Sequence, residues 1–538
     1  MTPVALFELV LLLLAAIVVL ELLARRLHLP PAAAFVLGGG ALALVPGTPS
    51  LALDPDLVLV LFLPPLLMSS AYFTAWRDFR ANLRIILQLA VGAVVFTTLA
   101  VGVVAHMVVP GLPWAACFAL GAIVSPPDAV AAKAVLAGLR LPRRIVVLLE
   151  GESLVNDATG IVLFRMAVAA AVTGTFSLAG AAGSFVLLSA GGVLAGLAFA
   201  AAALAVMARL RDPNLAMVFS LLTSWASYIA AEALGVSGVL SVVTCGLVSG
   251  IRQHAILTAR TRTELTAMWS AVVYVLEALV FVLIGLSLRG VLDRLGAVPG
   301  GAGALVLPGA AILAAVVLSR FAWIVPATYL PRLLLPGLRR RDPMPPVAVP
   351  LVMSWAGMRG VVSLAVALGL PVGFPGRDFI LVTTFAVILL TVLVQGATLG
   401  PLIRLLRLEG LMLHGPVTLP EAAARARMAA AQLAAVEARA KAPDGGVRHP
   451  RLLEQYSYRA RASARFHEAD GGLDGDRDEH FQIVLAAVAA GRNELLRLRD
   501  AGDIHDTVLH ALEAELDLDE LAARRHLAGA QQAGAQQE

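Results

Sequence analysis

The sequence predicts an all-α polytopic membrane protein with about thirteen transmembrane helices and a helical cytoplasmic tail. Three observations predict it. Of the 538 residues, 59% are hydrophobic and only 14% are charged, whereas an average soluble domain is about a quarter charged. The apolar residues recur in blocks of about 20, the length of a helix that crosses a bilayer. The arginines gather in every second connection between those blocks.

The first block, "PVALFELVLLLLAAIVVLELLA", lacks a basic leading region and a small-residue cleavage site. It therefore reads as a retained helix and not as a signal peptide. The apolar segments are 3–24, 31–47, 56–73, 85–109, 112–136, 145–172, 182–208, 214–231, 236–251, 268–288, 303–330, 347–370 and 379–403. One set of connections holds Arg25 and Arg26; Arg77, Arg80 and Arg84; Arg140, Arg143 and Arg144; Arg209 and Arg211; Arg252, Arg260 and Arg262; and Arg332 with Arg339 to Arg341. The alternate set holds only Arg289, Arg294 and Arg377. Positive charge stays on the cytoplasmic side. An odd number of spans then places the N-terminus outside a cell membrane and the C-terminus in the cytoplasm. Cys117 and Cys245 both lie in apolar blocks, so no disulfide framework is expected.

Composition divides the chain into a membrane domain, 1–405, and a charged tail of helical periodicity, 406–538. The acidic stretch "EADGGLDGDRDE" does not have the spacing of a twelve-residue calcium loop, so it reads as a solvated linker.

Ionisable groups at membrane depth cost about 2.5–3.5 kcal/mol each on insertion scales, so they mark function. The candidates are Asp128, Lys133, Glu150, Glu152, Asp157, Glu277, Arg320 and Arg359. In "LLEGESLVNDATGIVLF", helical spacing places Glu150, Ser153 and Asp157 on one face and Glu152 with Asn156 on another. Glu150 falls close to the basic connection, and Asp157 falls near the midplane. A carboxylate with a hydroxyl one turn away suits a hard monovalent cation. In "GAIVSPPDAVAAKAV", Pro126 and Pro127 remove two backbone donors and break the helix. Broken helices free carbonyls at the midplane, where transporters build their sites. Asp128 follows the break directly. In "SWAGMRGVVSLAVALGLP", Arg359 sits in an apolar segment between Gly357 and Gly360 and needs a carboxylate, for which Glu152 is the candidate.

Together "EGESLVNDATGIVLF", "SPPDAVA" and "GMRGVVSLA" resemble the sodium/proton exchangers of the monovalent cation:proton antiporter superfamily, over about residues 5 to 405. The resemblance implies inverted repeats, two bundles, and a site between two broken helices that cross. It implies that Asp157 carries proton and metal cation in turn, that Asn156 and Ser153 assist it, and that Glu152 and Arg359 form a buried bridge. An Asn before the Asp implies electroneutral exchange. The implied substrates are Na⁺, with Li⁺, against H⁺, and K⁺ is the alternative. No cofactor is implied beyond the transported ions, and no enzyme activity. The implied assembly is a homodimer in the bilayer, serving pH and sodium homeostasis.

Three positions depart from the family pattern. Pro127 stands where many relatives have Thr or Ser. Ser69, in "PPLLMSSAYF", stands where many have an acid near the ion path. Glu277, in "YVLEALVFVLIG", stands where many have Asn; it either replaces the lost acid in part or faces the bundle for packing with Arg320. Two other classes are weighed against this reading. A cation channel would need repeated filter loops, which are not seen. An intramembrane aspartyl protease would pair Asp128 with Asp157, but the Asn156 and Arg359 motifs do not fit it.

Overall fold

The computed structural model describes residues 3–27, 29–45, 55–128, 132, 141–175, 177–297, 301–408, 421–440, 447–468, 474–501 and 506–534. Two compact units result, Met1–His414 and Gly415–Glu538. Lys133 and the centre of the acidic stretch, 469–473, lie outside the described residues.

The first unit contains α1 (Pro3–Leu27), α2 (Pro31–Leu44), α3 (Pro55–Phe73), α4 (Trp76–Val108), α5 (Trp114–Val124), α6 (Arg143–Thr173), α7 (Leu178–Met207) and α8 (Pro213–Ala233). It continues with α9 (Gly238–Ile256), α10 (Ala259–Leu286), α11 (Leu288–Ala297), α12 (Gly301–Leu334), α13 (Ala348–Trp355), α14 (Val361–Leu368) and α15 (Arg377–Leu405). Among the described residues, nine helices are long and apolar enough to cross a membrane, and three shorter apolar helices accompany them. Each of the thirteen apolar segments contains helix. Segment 347–370 is not one continuous rod, however. It is the pair α13 and α14, parted at Ala356–Gly360.

Local chemistry sets the ends. Asp212 caps α8 by accepting from the amides of Asn214 (2.7 Å) and Leu215, with Pro213 in the first turn. Ser177, Ser237 and Thr258 cap α7, α9 and α10 in the same way. Gly174, at φ 69°, stops α6 in the left-handed conformation that glycine adopts without strain.

Two bundles form. Helices α4, α5, α6, α12, α13, α14 and α15 pack on one another, and so do α1, α2, α3, α7, α8, α9 and α10. Within a bilayer, helix association relies on close packing rather than on expulsion of water. Gly39 and Gly285 provide it between α2 and α10, where a Cβ on either would strike the other helix's backbone. Helix α3 bridges the bundles through α6 and α14. At the arginine-rich end, Asp342 ties three elements of the first bundle together. It accepts from Arg84 (3.2 Å), Arg144 (2.8 Å) and Arg332 (2.5 Å), at the ends of α4, α6 and α12.

The second unit holds α16 (Glu421–Ala440), α17 (Pro450–Glu468), α18 (Asp474–Asp500) and α19 (Asp506–Gly534). Helix α16 packs on α17, and α18 on α19. The second pair is joined where Arg492 reaches Asp517 and Glu520, each at 2.7 Å.

Candidate functional site

Two interrupted helices meet in the first bundle. Helix α5 ends at Val124, because Pro126 and Pro127 supply no amide hydrogen to extend it. Helix α13 ends at Trp355, and α14 begins after Gly360. The backbone of one break hydrogen-bonds to the other: the Asp128 amide donates to the Met358 carbonyl at 2.7 Å. Gly360 lies so close to the Asp128 carboxylate that a Cβ there would collide with it. The carboxylate of Asp128 therefore sits at the amide end of α14, where the helix dipole favours negative charge.

Arg359 lies at the opposite poles. Its Nε donates to the Val124 carbonyl at 2.6 Å, and its Nη1 donates to the Gly357 carbonyl. Both carbonyls lie at helix C-termini, those of α5 and α13, where cations are favoured. Its backbone amide donates to the Thr391 hydroxyl at 3.1 Å. Thr391 opens a π-helical turn, Thr391–Gln395, inside α15, and such turns often occur at functional positions. Nη2 of Arg359 is buried, without a hydrogen-bond partner among the described residues.

The expected Glu152–Arg359 bridge is corrected by these contacts. Glu152 is held instead by Arg320 of α12, through Nη1–Oε1 at 2.7 Å and Nη2–Oε2 at 3.2 Å. Nη2 of Arg320 also donates to the Met353 carbonyl at 3.1 Å. Both side chains are buried. Gly357 makes room for this guanidinium, since a Cβ there would strike the Arg320 side chain. The physical reason is local. Arg320 sits within the continuous helix α12, away from the two helix breaks, and meets a carboxylate there. Arg359 sits at a helix break, where unbonded carbonyls are at hand.

Helix α6 brings its other site residues to the crossing. Nδ2 of Asn156 donates to the Pro127 carbonyl at 2.6 Å, pinning α6 to the first break. Its Oδ1 is buried and unbonded among the described residues. Asp157 is 7% exposed and within electrostatic reach of Asp128. Among the described residues, no cationic side chain forms an ion pair with it. Ser153 and Asp128 are half-buried, and Pro127 is buried. Behind the break, the Thr98 hydroxyl donates to Ser125 Oγ at 3.1 Å. Ser69 is buried on α3, which packs against α6 and α14. Glu277 is half-buried on α10, in the opposite bundle.

The arrangement therefore contains three acids: Glu152, neutralised by a fixed guanidinium; Asp128, at the amide end of α14; and Asp157, which forms no ion pair among the described residues. Freed carbonyls and a half-buried hydroxyl lie on the elements around it. Among the described residues, no group of three or more His, Cys, Asp and Glu side chains could hold a resident metal ion. Sequence reasoning missed the role of Arg320 and the helix-end role of Arg359. The available signal was Arg320 itself, an arginine within an unbroken apolar helix.

Comparison with known proteins bears on the same segments. The family described as "Sodium/hydrogen exchanger, transmembrane" matches residues 10–405. An uncharacterized Na(+)/H(+) exchanger of Mycobacterium tuberculosis is 33% identical over 527 residues, covering 95% of this chain and 94% of its own. A sodium, potassium, lithium and rubidium/H(+) antiporter of Bacillus subtilis is 34% identical over 369 residues, covering 64% of this chain and 54% of its own. The sodium proton antiporter MjNhaP1 of Methanocaldococcus jannaschii, solved at pH 8, has a similar fold. Its TM-score is 0.56 at 19% identity, covering 74% of this chain and 99% of that one.

Proposed function

The chain belongs to the sodium/hydrogen exchanger family, and from that premise we propose that it exchanges Na⁺, and Li⁺ with it, for H⁺ one for one. The observation that carries this reading is the division of labour on α6. Arg320 satisfies Glu152, while Asp157, close by on the same helix, pairs with no cation among the described residues.

The proposed cycle is alternating access. Asp157 takes up either a proton or the cation. The bundle carrying α6 shifts against the other only when that carboxylate is neutral, because a bare carboxylate crossing a low-dielectric gate costs too much. Asn156 positions the Pro127 segment against α6. Ser153 and Asp128 complete the oxygen-rich surroundings, and Glu277 supplies part of the charge that Ser69 lacks. Arg320 and Arg359 stay charged throughout, since a guanidinium does not release its proton. One titrating carboxylate moves one proton one way and one cation the other, so no net charge crosses. The proposal also places the N-terminus outside, the C-terminal tail in the cytoplasm of a cell-membrane protein, and two copies in the working assembly.

A second reading, K⁺ as substrate, is favoured by the missing acid at Ser69 and by the name of the Bacillus subtilis relative. Reconstitution into vesicles under an imposed pH gradient separates the readings. Na⁺ and Li⁺ should dissipate the gradient at equal rates with and without a clamped voltage. Dissipation by K⁺ alone would establish the second reading, and a voltage-dependent rate would exclude one-for-one exchange.

A further inference from the structure

Arg165 lies on α6, about two turns past Asp157 toward the arginine-poor end of the helix. At the rise of an α-helix this carries it about 12 Å along the axis. On the proposed orientation that end faces outside. The Arg165 guanidinium meets an acid there: its Nη2 donates to Glu232 Oε2 at 2.7 Å. Arg165 belongs to α6 in the first bundle, and Glu232 to α8 in the second. The ion pair therefore crosses from one bundle to the other.

Glu232 is fixed on its own side. Its other oxygen, Oε1, accepts from the amide of Gly238, the first residue of α9, at 3.1 Å. Gly238 leaves no room for a side chain, since a Cβ there would meet Glu232 and Tyr228. The carboxylate is thus carried by α8 and α9, and the guanidinium by α6.

The arginine-rich end is tied differently. There Asp342 holds Arg84, Arg144 and Arg332, and Asp78 holds Arg143 at 2.8 Å. These pairs join elements of the first bundle to one another. They resist no movement of that bundle against the second, whereas the Arg165–Glu232 pair does.

We propose that Arg165 and Glu232 are positioning residues for exchange, a latch that holds α6 in the state closed to the outside. The proposal rests on the alternating-access reading above. When the first bundle shifts against the second, α6 moves relative to α8 and the pair parts. Both side chains reach water, at 48% and 27% exposure, so each is solvated as they separate. An exposed pair of this kind is worth a factor of about five at most. That biases two states without trapping either.

The test uses the full chain in vesicles of known orientation, with two readouts. The first is the apparent affinity for Na⁺ and for K⁺ at each face. The second is the distance between spin labels on Val172→Cys and Leu234→Cys, at the outer ends of α6 and α8. Both positions are exposed, and the native Cys117 and Cys245 are buried. Glu232→Gln removes the charge but keeps an oxygen for the Gly238 amide. It should add a longer-distance population. Affinity should rise at the outer face and fall at the inner face, each by up to about fivefold. Arg165→Gln should do the same, and the two substitutions together no more than either alone. Arg165→Lys keeps the charge and should stay close to the wild type. Choline chloride at high concentration should move the wild type toward the variants, because salt screens an exposed pair, and should leave Glu232→Gln unmoved. Arg497→Gln, which removes an exposed pair in the second unit, should change neither readout. Affinity shifts of the same sign at both faces, or distances unaltered in both Gln variants, would overturn the latch. If the wild type exchanges no cation and the distances still lengthen in Glu232→Gln, the latch stands and the exchange reading falls.

Discussion

Glu152 and Asp157 stand five residues apart on α6, and the structure treats them in opposite ways. Glu152 is gripped at both oxygens by Arg320 and is sealed from solvent. Asp157 forms no ion pair among the described residues and sits beside a crossing rich in carbonyls. On the proposed reading, one helix holds a structural charge and a working charge. The structural charge is fixed by a permanent cation on a neighbouring helix. The working charge is left for an exchangeable one.

The comparison breaks most sharply if the roles are reversed. Asp157→Asn should reduce exchange of every cation to the level of protein-free vesicles while leaving thermal unfolding near that of the wild type. Exchange that survives in this variant would dismiss Asp157 as the carrier. The next effect is on stability. Arg320→Met strands a buried carboxylate and should cost about 3–5 kcal/mol. The double variant Glu152→Gln with Arg320→Met should recover most of that loss, because it removes both charges together. Chemical unfolding of the two proteins side by side measures it, and equal losses would show that the pair is not coupled.

A smaller effect is expected at Glu277. Glu277→Gln should shift the apparent affinity for Na⁺, Li⁺ and K⁺ by about the threefold that one remote charge supplies. Unchanged kinetics with all three ions would remove Glu277 from the site. The smallest effect lies in the tail, where an acid is paired in the open rather than in the core. Hydrogen bonds from Arg492 and Arg524 hold the Glu520 carboxyl below its usual range. The ionised form therefore favours the pairing of α18 with α19. That support is complete above the ordinary carboxylate value and is lost as pH falls through the lowered one. Hydrogen exchange of α18 and α19 in the full chain should speed up slightly on acidification, and slower exchange would reverse the sign.

Much of this was legible in the chain itself. Runs such as 182–208 and 303–330 can bury their backbone only as helices, so their positions followed from composition. The first break was legible at Pro126 and Pro127, which lack the donors a helix needs, but the second, inside segment 347–370, was not placed by the residues themselves. Asp157 was legible because an acid in an apolar run has few reasons to be there. The partner of Glu152 was not legible. Arg320 and Arg359 are both arginines in apolar segments, far from Glu152 in sequence, and nothing local ranks them.

Sequence alone determined the helical class, the apolar segments, the interruption at Pro126 and Pro127 and the acids at stake, because each depends on residues that are near neighbours in the chain. Only the tertiary structure decided that Arg320 takes Glu152, that Arg359 turns to the ends of two half-helices, and that Asn156 fastens α6 to Pro127. Those choices depend on which carbonyls and carboxylates come within about 3 Å of a donor, and only packing sets such distances.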